Sequence, residues 1–188
     1  FYEAGSLDVT GQAKPLLVFT GTDSATGEMT VLAGVRSGER WAAPVKLGAA
    51  AGVVSVASAP NPSGGWMVVW SEISQADAGN PYPSSSIKYS ISNAEGTAWT
   101  APAAVAASPQ ATFDLKLVRA GSRVLLLYLS TAEGPLGDNQ SLHAADWDGT
   151  RWSNPRELVS ARPVESYDAT ANAAGMALAV VSLGQAGL

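Results

Sequence analysis

The pattern Gly-x-x-Trp-x-x-Pro stands three times in this chain, as Gly38/Trp41/Pro44 in GERWAAP, Gly96/Trp99/Pro102 in GTAWTAP and Gly149/Trp152/Pro155 in GTRWSNP. The three tryptophans are 58 and 53 positions apart, so one structural unit recurs along the chain. A recurrence of this length marks stacked supersecondary units, each of which buries its apolar faces only against its neighbours. Each copy is preceded by a short β-type run, MTVLAGV (29–35), SIKYSIS (86–92) or SLHAADW (141–147), and followed by VKL, AAV or REL. Such a pair of runs around a glycine reads as a hairpin. A second glycine-turned hairpin follows each motif, in SVASAPNPSGGWMVVWSE, DLKLVRAGSRVLLLYLST and DATANAAGMALAVVSLG, and its first copy, LDVTGQAKPLLVFTGT (7–22), opens the series.

In order, the strands run A, B, C, D three times and then A, B, fourteen in all. The units span about 6–47, 53–105 and 112–159, with a half unit over 165–188. Strand B is the most continuously apolar in each (LLVF, WMVVW, VLLLYL, ALAVV), as a strand covered on both faces must be, while strand C alternates more. Four short strands per repeat is the pattern of propeller blades. The predicted fold is therefore all-β, a partial β-propeller of about three and a half four-stranded blades forming a single repeat domain over 1–188. The alternative, an antiparallel β-sandwich, also spaces its strands evenly but gives no reason to repeat Trp-x-x-Pro at one point of each unit.

The motif residues have physical roles in such a blade. Glycine permits a turn with φ > 0 between strands C and D, and the indole folds back to be buried between neighbouring sheets. Proline suits an outer edge strand, where its missing N–H blunts edge-to-edge pairing. The stretch WDGTRWSNP (147–155), through Asp148, Gly149 and Trp152, resembles the Asp-box of sialidase-like propellers. The other copies, Glu95-Gly96-Thr97-x-Trp99 and Ser37-Gly38-x-x-Trp41, are more degenerate forms of it. The resemblance extends over nearly the whole chain as a repeat and implies a fold rather than an activity.

Composition excludes several classes. A net charge of −5 with scattered Lys and Arg offers no track for a phosphate backbone, so nucleic acid is not an expected partner. No apolar run reaches the ~18 residues of a membrane span. With no cysteine, disulfides, thiolate zinc sites and thiol catalysis are absent, and the single histidine, His143, leaves little for a metal centre. No cofactor is expected. The opening at Phe1 without Met and the stop at Leu188 in mid-pattern suggest an excised piece.

A sialidase needs an arginine triad, a Tyr nucleophile paired with Glu and an acidic general acid. The arginines here fall mostly at turns or outer strands, no Arg-Ile-Pro stands in the sequence, and no specific catalytic signature emerges. One constellation stands out. The first strands carry Asp8, Ser55, Asp114 and Asp168 at matching points, and in a propeller those strands line the axis. Converging carboxylates there must hold a cation or polar ligand, accept hydrogen bonds or shift their pKa, whereas an Asp at the start of a strand also binds backbone N–H groups. The B–C insertions 71–86 and 130–141 offer Asp77, Tyr82 and Asp138 as loop candidates for ligand contact.

The expected function is a non-catalytic propeller module of a secreted or cell-surface bacterial protein, presenting its loops to a glycan or protein partner. The alternative is a fragment of a glycoside hydrolase whose catalytic residues lie outside this chain. Three and a half blades leave open faces, so the chain is expected to be an oligomer or to be completed by another segment. Two copies would bring 28 strands, the number in a seven-bladed ring.

Overall fold

The structure, a computed structural model, describes residues 7–10, 14–22, 24, 26–50, 52–73, 84–108, 111–131, 140–160 and 163–184. Among these every regular element is a strand. Blade 1 comprises β1 (Leu7–Thr10), β2 (Leu16–Thr22), β3 (Met29–Ser37), β4 (Arg40–Trp41) and β5 (Val45–Ala50). Blade 2 comprises β6 (Val53–Pro60), β7 (Trp66–Ile73), β8 (Ser85–Ile91) and β9 (Ala103–Ser108). Blade 3 comprises β10 (Ala111–Ala120), β11 (Arg123–Thr131), β12 (Gln140–Trp147) and β13 (Arg156–Val159). A half blade joins β14 (Val164–Ala171) to β15 (Ala177–Leu183). All pairings are antiparallel between strands that follow one another, except that β5 pairs with β3 past the two-residue β4. That short strand brings the total to fifteen rather than fourteen. It forms because Arg36 and Ser37 pair with Trp41 and Arg40, where the other two motifs close on the single bridges Ser92–Trp99 and Trp147–Trp152.

The blades stack face to face with their first strands innermost: β1 lies beside β6, β6 beside β10, and β10 beside β14. The apolar residues of each B strand alternate between the two neighbouring blades. Trp66, Val68 and Trp70 of β7 pack with Leu16, Val18 and Val31 of blade 1, while Met67 and Val69 pack toward blade 3. In β11, Leu126 and Tyr128 face blade 2, and Leu127 and Leu129 face the half blade beside Val164 and Tyr167. Each such side chain, fully buried, contributes about 1.5–3 kcal/mol. The continuous apolar runs of β7 and β11 are thus explained by burial on both faces. In β15 the same apolar pattern is left largely exposed: Leu178 and Val180 are each 63% exposed, and Val181 packs, partly buried, against the blade 3 core.

The motif residues behave as follows. Gly38, Gly96 and Gly149 all have positive φ. Gly96 is constrained twice, because besides its φ of 70° an added Cβ would come within 2.9 Å of the Trp66 ring and collide with Val35. Trp99 is half-buried against the blade 1–blade 2 core, and its indole N–H donates to the Gly96 carbonyl at 3.2 Å. Trp152 is half-buried between blades 2 and 3, its ring centroid 5.6 Å from Trp147 and 6.0 Å from Tyr89. Trp41 departs from the expected burial and is 45% exposed. The motif indoles of blades 2 and 3 pack on the blade before them, and among the described residues no blade lies against Trp41 in that way.

Candidate functional site in the axis groove

The innermost strands β6, β10 and β14 enclose a groove of about 420 Å³ lined by residues 55–58, 114–118 and Ala169. Its shape depends on one irregularity. The β10–β11 register shifts between Phe113 and Lys116, and Asp114 takes a left-handed φ of 49°. It is the one non-glycine with positive φ among the described residues. Asp tolerates this region better than most residues, and a bulge re-aims the side chain it carries.

Groups from both neighbouring blades hold the bulge. The Leu115 N–H donates to Ser55 Oγ of β6 at 3.0 Å. The Tyr167 hydroxyl of β14 reaches two carbonyls, that of Asp114 and that of Leu127, the latter at 3.0 Å, and shares its one proton between them. Burial, with the nearby Asp114 and Asp168 charges, pushes the Tyr167 pKa well above its ordinary value, so the hydroxyl stays a donor.

Lys116 lies between the carboxylates. Its ammonium is 3.0 Å from Asp168 Oδ1 and 5.1 Å from the centroid of the Tyr167 ring. Asp168 also accepts its neighbour's N–H, from Ala169, at 2.9 Å. The Lys116 hydrogen bond is the main reason its pKa is lowered. Asp114 moves the other way. Although exposed to the groove, it loses enough hydration to surrounding protein to raise its pKa, an effect that Lys116 opposes and Asp168 reinforces. The surroundings of the two carboxyls therefore shift their acidities in opposite directions.

The sequence-predicted residues are placed as follows. Ser55, Asp114 and Asp168 come together across three blades. Asp8 lies on β1 opposite Val18, and its side chain falls outside the described residues. Asp77, Tyr82 and Asp138 also fall outside the described residues. The site further contains Lys116 and Tyr167, which sequence reasoning missed. Neither carries a local signal, since Lys116 reaches Asp168 from a different blade and the bulge at Asp114 breaks the alternation that would orient it.

At the motif turns, Asp148 Oδ1 accepts from the Thr150 N–H, the Thr150 hydroxyl and the Arg151 N–H at 2.8, 2.8 and 3.0 Å, which lowers its pKa to about 2. In the second copy the equivalent acceptor is Asn93, whose Oδ1 takes the Thr97 and Ala98 N–H groups at 3.0 and 3.3 Å. Glu95, singled out by the sequence there, instead pairs with Lys14. A wider cleft of about 960 Å³ opens where the first strands turn into the second, beside Arg119, Asn172 and Trp66.

No family model matches this sequence, and no curated protein matches it. Solved structures do. A thermostable family-43 glycoside hydrolase superposes with a TM-score of 0.59 over 84% of this chain and 54% of its own, at 9% identity. The fold is a partial β-propeller of the kind that glycoside hydrolase adopts. A second glycoside hydrolase aligns over 95% of this chain and 66% of its own, with a TM-score of 0.49 and 10% identity. This chain thus spans about half the length of the first of these structures.

Proposed function

We propose that this chain is the larger part of a glycoside-hydrolase-like propeller and takes a carbohydrate in the groove between its innermost strands. The observation that carries this reading is the meeting of Asp114, Lys116 and Asp168 at the axis of a fold shared with a glycoside hydrolase. It favours the hydrolase-fragment expectation over the free-standing binding module. Asp114 is the group fitted to hold a proton at a higher pH than an ordinary Asp. Asp168, tied to Lys116, stays ionised and presents acceptors to sugar hydroxyls. Glycoside hydrolysis needs two carboxyl groups placed on either side of the scissile bond. The second catalytic carboxyl would come from blades that complete the ring.

One observation favours a purely binding role for the same groove: the Asp168 carboxylate is already bound by Lys116 and is not free to act as a base. We carry the finer likeness to sialidase-like blades, and the secreted or cell-surface setting that goes with it, as part of this proposal; the carboxylate-held turn at Asp148 and its amide counterpart at Asn93 support the likeness.

Calorimetric titration of the chain with neutral mono- and oligosaccharides tests the proposal. Binding weakened at least about tenfold by Asp168→Asn, the loss of one charge-assisted hydrogen bond, is the expected result. No binding by any carbohydrate would count against it.

A further inference from the structure

We propose that Tyr167 and Ser55 are positioning residues of the axis groove: they clamp the two ends of one peptide unit and so hold the Asp114 carboxyl at the groove wall in a backbone conformation that aspartate rarely adopts. That this carboxyl meets a sugar rests on the carbohydrate reading above, whereas the clamp is a property of the backbone alone. The inner strands of three successive blades carry an irregularity at the same level. The β6–β7 register shifts between Val53 and Ser55, and the β14–β15 register between Val164 and Ser166, which makes Val54 and Glu165 the extra residues. In β10 the shift lies between Phe113, paired with Leu129, and Lys116, paired with Leu127. Glu72, Leu129 and Leu183, the partners at which these shifts begin, stand at the same count along β7, β11 and β15, so the bulge belongs to the repeat. Positive φ does not. Among the described residues Asp114, at 49°, is the one non-glycine that has it.

A left-handed residue in a bulge is ordinarily glycine, which takes that φ without a steric penalty. An aspartate kept there, while two sister bulges have no such residue, marks strain retained for what the side chain does. A bulge also takes a peptide out of the ladder and leaves its N–H and C=O in need of partners. The Asp114 carbonyl and the Leu115 N–H are the two ends of that peptide. The Tyr167 hydroxyl of the half blade donates to the carbonyl, and Ser55 Oγ of blade 2 accepts the N–H at 3.0 Å. The peptide plane is thus fixed from both neighbouring blades, and with it the direction in which the Asp114 side chain leaves the backbone. Tyr167 is itself anchored. It is buried, its hydroxyl also reaches the Leu127 carbonyl at 3.0 Å, and the Lys116 ammonium lies 5.1 Å from the centre of its ring. Ser55, Asp114 and Lys116 all line the groove, so the clamp and the carboxyl it aims belong to one site.

The test uses the full chain with Tyr167→Phe, which keeps the ring and removes the hydroxyl, and with Ser55→Ala as an independent second variant, each checked by circular dichroism for the β fold. Without ligand, NMR scalar couplings report the φ of Asp114 and carboxyl carbon-13 shifts report its titration. The wild type is expected to show a positive φ and a carboxyl titrating above an ordinary aspartate. Each variant is expected to lose left-handed population at Asp114 and to titrate closer to the ordinary value. Unchanged φ and titration in both would overturn the proposal, because a residue that only packs lowers the melting temperature and leaves Asp114 as it was. Thermal melts check the strain separately: Asp114→Gly is expected to melt above Asp114→Ala, the reverse of the usual order inside a strand. The usual order would mean an unstrained position and overturn the proposal. Calorimetry with the neutral oligosaccharide that the wild type binds most tightly is expected to show affinity reduced at least about tenfold in Tyr167→Phe. Full affinity in the folded variant would overturn the positioning role. A wild-type chain that binds no saccharide overturns the carbohydrate reading alone, since the couplings, titrations and melts decide the clamp without it.

Discussion

If the motif indoles are the wedges between successive blades, truncating them must cost stability in proportion to whether a preceding blade is present. Trp152 has such a blade. Its ring lies in the cluster with Tyr89, Trp147, Met67 and Leu117, and its indole N–H finds no protein acceptor, so its contribution is packing alone. A well-buried Trp→Ala change costs about 3–5 kcal/mol. Trp152 is only half-buried, which lowers that figure, while two aromatic contacts worth about 0.5–1.5 kcal/mol each are lost with the ring. The expected loss for Trp152→Ala is therefore ~2–4 kcal/mol. Trp41→Ala, at 45% exposure and with no described blade lying against it in that way, should cost under ~1 kcal/mol in the monomer. Urea melts at protein concentrations low enough to keep the chain monomeric give both values from the shift of the midpoint at constant slope. Equal losses at the two positions, or a loss below about 1 kcal/mol at Trp152, would refute the wedge reasoning.

Gly96→Ala should destabilise by ~2–4 kcal/mol in the same assay, since it imposes a Cβ on a left-handed residue and drives it against Trp66 and Val35. Burial lowers the His143 pKa below its usual 6.5, with Glu157 opposing, so the folded state disfavours the imidazolium. Its stabilising contribution is full above pH 6.5 and is lost as pH falls toward the folded value. The wild-type melting temperature should therefore fall more between pH 7.5 and 5 than that of His143→Gln, by calorimetry. Lys116→Met should raise the pKa values of both Asp168 and Asp114, because the ammonium lowers each, and carboxyl carbon-13 NMR would read the two titrations separately.

The sequence exposed what repeats and little of what crosses from one repeat to the next. Strand positions and motif turns follow from local rules: glycine where φ must be positive, alternation along strand C, and apolar continuity in strand B. The burial of a given side chain depends on whether a neighbouring blade is present. That is why Trp41 and Val180, which share the pattern of buried counterparts, lie in water. At the axis, matching positions placed Ser55, Asp114 and Asp168 on adjacent strands. The chemistry there depends on a one-residue bulge and on Lys116 and Tyr167 reaching across between blades 3 and 4 of the stack, the fourth being the half blade. Neither a bulge nor a cross-blade contact leaves a local mark in composition or spacing. The Asp148 turn was legible because its acceptor lies beside its donors, while the same role at Asn93 was hidden by an insertion that drew attention to Glu95.

The most direct test of the axis groove as a carbohydrate site is amide chemical-shift mapping of the wild-type chain, titrated with the saccharide that binds most strongly in calorimetry. Saturating shifts centred on Ser55, Leu115, Lys116 and Ala169, residues that line the groove from three different blades, are the predicted result. Shifts confined to the turn-side cleft around Arg119 and Asn172, with the groove amides unmoved, would contradict it.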